Sequence, residues 1–183
     1  MRSIEYQPKI DGLRAIAVLS VVFYHLKISY FDGGFIGVDI FFVISGYLIT
    51  SIILSDKKRG TFNFKNFLIK RIKRLLPAII FVSVLASFFG FLILSPDDLI
   101  NFSRSIITSI FFVSNILYWT ESNYFNQISE FKPFLHTWSL GVEMSFYLVW
   151  SIILIYLIKF LKQKQIIIFL IITSTLSLVF IEY

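Results

Sequence analysis

The chain contains no cysteine, which excludes disulfides and thiolate chemistry and leaves the redox compartment unread. It has only two histidines, too few for a histidine-rich metal centre, and no metal is expected. Charge is scarce too: 15% of residues are Asp, Glu, Lys or Arg, against about 25% in a soluble domain. Apolar residues take that place. Hydrophobic types make up 57% of the 183 residues, Phe occurs 22 times, and the mean hydropathy is +0.80. Several runs approach the roughly 20 apolar residues that one membrane-crossing helix needs.

The fold class that follows is all-α, a polytopic transmembrane helix bundle with about five or six membrane segments. They run from about Leu13 to Ser29, Phe35 to Leu54, Pro77 to Leu94, Ile100 to Trp119, Trp138 to Ile158, and Ile166 onward. The first has Asp11 and Arg14 at its start and no small-residue cleavage site behind it, so it reads as a helix and not a removed signal. A glycine turn at Phe31-Asp32-Gly33-Gly34 joins it to the second. Gly60 breaks the basic stretch from Asp56 to Leu76, where interleaved Phe62, Phe64 and Phe67 suit a helix lying at the headgroups. Pro77 is expected to open the third segment in its first turn. A polar loop of about twenty residues precedes Leu135.

The net charge of +6 is concentrated between Lys57 and Arg74. Flanked by apolar runs, it marks a cytoplasmic connection and not a nucleic-acid surface, and it implies a cytoplasmic N-terminus. The fourth segment creates a conflict. If it crosses, Lys159, Lys162 and Lys164 fall on the wrong side for this charge bias. If it is re-entrant, they return, provided that its backbone is buried in protein.

Ionisable residues inside such segments are costly and face interiors or aqueous cavities. Arg14 and His25 are eleven residues apart, about three turns plus 20°, hence on one helix face about 16 Å apart. Asp39 lies as far beyond the glycine turn as His25 lies before it, so the two would meet at similar depth. An Asp39 carboxylate on one imidazole nitrogen would make His25 a general base for a hydroxyl. The alternative is that both sit at the interface. Arg71 and Arg74, three residues apart on one face, suit phosphate groups, with anionic-lipid contact as the alternative. His136, Ser139 and Glu143 share a later helix face beside Trp138, and Tyr147 and Trp150 continue it toward an aromatic belt. A buried Glu143 would trade protons near neutrality, unless it serves only as a structural partner.

Four strings taken together resemble the acyltransferase 3 family: Ile10 through Val18 with His25, Gly33 through Thr50, Arg71-Ile72-Lys73-Arg74, and His136-Thr137-Trp138-Ser139-Leu140-Gly141-Val142-Glu143. The family includes membrane O-acetyltransferases of O-antigen and peptidoglycan. The resemblance implies an essential histidine at His25, an acyl-donor role for Arg71 and Arg74, and an acidic site residue at Glu143. It implies acyl-CoA, by preference acetyl-CoA, as donor substrate with no bound cofactor. The acyl group would pass to a hydroxyl of a cell-surface or envelope carbohydrate, in the inner membrane of a bacterium.

Combining both readings, the catalytic candidates are His25, Asp39 and Glu143. Arg14, Arg71 and Arg74 are the donor-binding candidates, and His136, Trp138 and Ser139 supporting ones. The whole chain, 1–183, reads as part of one acyltransferase 3 transmembrane domain, the N-terminal half of roughly ten helices. A truncated remnant, or a half that needs a second chain to supply the missing helices, is the alternative.

Overall fold

A computed structural model describes residues 7–121 and 133–181. Seven α-helices occupy these residues: α1 (Pro8–His25), α2 (Gly37–Lys58), α3 (Phe64–Ile93), α4 (Pro96–Ile110), α5 (Ser114–Glu121), α6 (Trp138–Phe160) and α7 (Gln163–Ile181). The all-α membrane bundle is as expected. Four stretches are long and apolar enough to cross a bilayer: Gly34–Lys58, Phe64–Ile93, Leu135–Phe160 and Gln163–Phe180. The expected loop before Leu135 lies largely outside the described residues.

Two helix boundaries differ from the sequence reading. α1 starts at Pro8 and stops at His25, because Lys27 and Tyr30 turn the chain with positive φ values of 52° and 79°. Pro77 does not open a helix but lies within α3, which runs unbroken for 30 residues. Proline there forfeits the bond to the Lys73 carbonyl, a loss that spanning helices tolerate when neighbours re-satisfy the backbone. The true start is Asn63, whose side chain accepts from the Asn66 N–H.

α1 and α2 touch through glycine. A Cβ on Gly37 would lie 2.3 Å from the Ala17 carbonyl oxygen, and one on Gly34 would lie 2.2 Å from that of Ser20. Ala17 is completely buried at this crossing.

α2 and α6 run parallel. Ser45 bonds Glu143, five residues later Thr50 bonds Trp150, and Ile53 and Leu154 share the core beyond. Both helices are entered through one 3-10 turn, at Gly34–Ile36 and at Leu135–Thr137. Their C-terminal ends therefore lie together, which gathers Lys57, Lys58 and Lys159 at one end of the bundle.

The fourth segment is divided. α4 enters from the other end, Phe112 reaches the core cluster beside Met144 and Tyr147, and α5 turns back. Ser109 and Ser114 both bond Thr137, and Tyr118 returns beside Ser105 and Thr137. The turn needs Phe112 at φ 59°, an unusual conformation for a bulky residue. α4 and α5 thus form a helical hairpin turned at Phe112, and neither belongs to the four stretches long and apolar enough to cross a bilayer.

Candidate active site

The C-terminal end of α1 and the N-terminal ends of α2 and α6 enclose a cavity of about 520 Å³. Its polar lining consists of His25, His136, Ser139 and Glu143. Its walls are apolar, with Val18, Val21, Val22, Val38, Phe41 and Phe42 on one side and Leu135, Trp138 and Leu140 on the other. Residues from three separate sequence strings thus meet in one space.

The His25 ring has a defined orientation. Its Nδ1 lies 2.8 Å from the Val21 carbonyl oxygen, four residues back on the same helix. A carbonyl only accepts, so Nδ1 carries the proton and Nε2 keeps the lone pair in the neutral ring. The expected Asp39 partnership is not formed. Asp39 is exposed in the first turn of α2, where the helix N-terminus favours a carboxylate, and it does not line the cavity. Equal counts from the turn did not give equal depth: Gly34 packs on Ser20 and Gly37 on Ala17, which carries Asp39 well past the level of His25. A backbone carbonyl performs the orienting task instead.

Glu143 is held from two helices. Its Oε1 accepts from Ser45 Oγ at 2.6 Å and from the Tyr147 hydroxyl one turn along α6. No hydrogen bond among the described residues uses Oε2. Tyr147 is 5% exposed, so it belongs to the interior and not to an aromatic belt. Trp150 likewise points inward, its Nε1–H donating to Thr50 Oγ1 at 2.8 Å while its ring stacks on Phe146.

Arg71 continues this column toward the basic end. Its guanidinium carbon lies 5.7 Å from the Phe67 ring centroid and 5.8 Å from that of Tyr147, within cation–π range of both. Its Nε is buried and makes no hydrogen bond. Arg14, Arg74 and Glu143 are near enough for their charges to act on it. Arg14 contacts Asp11 at 3.6 Å, and Arg74 is exposed. None of the three arginines lines the cavity itself.

Of the supporting residues, Trp138 packs edge-on against Phe42, and Ser139 donates to the His136 carbonyl. The His136 ring stacks on Phe134. No group of three metal-ligating side chains occurs among the described residues. Sequence reasoning missed the roles of Ser45 and Thr50, and it put Phe67 at the headgroups, whereas the ring is buried in the core cluster. A lone serine or threonine in an apolar run has no spacing signal, and only the α2–α6 register reveals its partner.

The family described as an acyltransferase domain, acyltransferase 3, matches residues 7–182. The chain belongs to this family. It is similar to O-acetyltransferase OatA of Staphylococcus aureus strains NCTC 8325 / PS 47 and COL, with 42% identity over 180 residues. That alignment covers 97% of this chain and 30% of OatA. A Staphylococcus aureus MSSA476 protein, SAS0844, whose name marks it provisionally as an O-acetyltransferase, is 45% identical over 165 residues. There the coverage is 89% of this chain and 27% of the relative. The chain therefore spans less than a third of the length of these acyltransferase 3 relatives. No solved structure matches it.

Proposed function

We propose that the chain takes part in membrane-bound O-acyl transfer, moving an acyl group, by preference acetyl, from acyl-CoA to a hydroxyl of an envelope carbohydrate. The observation that carries this reading is the shared cavity, where a histidine with a free Nε2 faces the same space as Glu143.

His25 Nε2 removes the proton of the acceptor hydroxyl as its oxygen attacks the thioester carbonyl. The tetrahedral intermediate collapses, the C–S bond breaks, and the departing thiolate takes the proton back from the imidazolium. Glu143 Oε2 is a second proton-exchanging group beside the same space. Arg71, Arg74 and Arg14 bind donor phosphates, a role that the planar guanidinium fork suits. The mouth at His25 and Trp138 admits the carbohydrate. Asp39 carries no step in this scheme.

The basic end faces the cytoplasm, where acyl-CoA is made, and the cavity mouth faces outward across the inner membrane. Loss of the chain's gene should remove acetyl ester from the surface glycan. The wild-type gene should restore it and His25→Ala should not. Restoration by His25→Ala would overturn the assignment of the base.

A second reading is a half-protein completed by other helices. It is favoured by the open position of His25, which is exposed although it carries the proposed chemistry.

A further inference from the structure

Helical serines usually return their hydroxyl to the carbonyl three or four residues back. Ser20, Ser103, Ser105, Ser109 and Ser151 all do so, each to the residue four before it. Ser45 does not. It is 5% exposed in the middle of α2, and its Oγ crosses to α6 to donate to Glu143 Oε1 at 2.6 Å. Its own-helix acceptor, the Phe41 carbonyl, takes no bond from it.

The second donor on Glu143, Tyr147, comes from Glu143's own helix and uses the same oxygen. Tyr147 alone would leave the carboxyl plane free to swing about the α6 side chain. A donor from a different helix fixes that rotation, and it ties the carboxyl to α2, the helix that also contributes Val38, Phe41 and Phe42 to the cavity. Both donors fall on Oε1, which leaves Oε2 without a hydrogen bond among the described residues.

We propose that Ser45 is a positioning residue, acting on acyl transfer through Glu143 by holding Oε1 and thereby turning Oε2 to the reacting groups. This rests on the reading of the cavity as an acyl-transfer site. The Ser45–Glu143 bond itself is open to measurement without activity.

The experiment uses the full chain in lipid nanodiscs. The infrared difference between wild type and Glu143→Gln isolates the Glu143 carboxyl band. In Ser45→Ala, which removes one donor and leaves Tyr147, that band should move. In Ser45→Cys, nearly the same size and a weak donor, it should move in the same direction by less. The Cys variant also decides the matter if the Ala variant fails to fold. Turnover is followed in parallel as CoA thiol released from acetyl-CoA.

Ser45→Ala should lower kcat by about 10- to 100-fold, the scale of a misplaced catalytic group, with the acetyl-CoA KM changed by less than about threefold. Ser45→Thr, which keeps the hydroxyl, should recover most of kcat. An unmoved band in both Ser45→Ala and Ser45→Cys would overturn the proposal, as would a moved band with unchanged kcat. If wild type releases no CoA while the band moves, the positioning geometry stands and the acyl-CoA reading falls.

Discussion

The Val21 carbonyl accepts from Nδ1 of His25 at 2.8 Å, which makes the protein backbone the partner that selects the tautomer. The ring should therefore show protonated Nδ1 and unprotonated Nε2 in a nitrogen NMR spectrum of histidine-labelled chain. On the proposed mechanism, replacing the ring removes a general base, a loss of about 10²- to 10⁴-fold. His25→Asn keeps a donor near the Nδ1 position and should be as inactive as His25→Ala. A spectrum dominated by protonated Nε2 would remove the basis for this assignment.

Arg71 and Arg74 should separate under substitution. Arg71 is held between two aromatic rings, so Arg71→Lys loses a planar partner and should cost about 1 kcal/mol of stability. Its acetyl-CoA KM should rise about tenfold, because an ammonium does not reproduce the fork that binds phosphate. Arg74 is exposed, so Arg74→Ala should raise KM and leave the melting temperature unchanged. Thermal unfolding in nanodiscs and donor kinetics report the two effects separately.

Two glycines of similar appearance in sequence should behave oppositely. Gly37→Ala would drive a methyl to 2.3 Å from a backbone carbonyl and 2.7 Å from Val21, and backbone yields poorly. The cost should be about 3 kcal/mol, the upper end for overpacking, with activity lost because α1 is pushed off α2. Gly12 has nothing within 4 Å of an added Cβ. Gly12→Ala should be neutral or stabilise by about 0.5–1 kcal/mol through helix propensity.

The parallel course of α2 and α6 predicts sidedness. Since the chain lacks cysteine, single introduced thiols report alone. Gln163→Cys and Lys58→Cys should react with an impermeant maleimide from the same side of the membrane, and Asp32→Cys from the other. Labelling of residues 58 and 163 from opposite sides would contradict the α2–α6 pairing.

The sequence made the bundle legible because apolar runs and charge bias act over whole segments. His25, His136, Ser139 and Glu143 were legible for a similar reason: polar groups inside apolar runs stand out. The His25–Asp39 pairing failed because equal counts from the turn do not give equal depth: the Gly34–Ser20 and Gly37–Ala17 contacts carry Asp39 past the level of His25. Pro77 misled because proline favours a first turn, yet a spanning helix accepts it inside. Ser45 escaped notice because its meaning lies wholly in a partner 98 residues away.

That separation bears on how the protein is made. α2 leaves the ribosome with Ser45 and Thr50 long before α6 supplies Glu143 and Trp150, 98 and 100 residues later. Until then the nascent chain displays a histidine with no carboxyl opposite it and no second wall to its cavity. Completion of the cavity around His25 therefore waits on the insertion of α6.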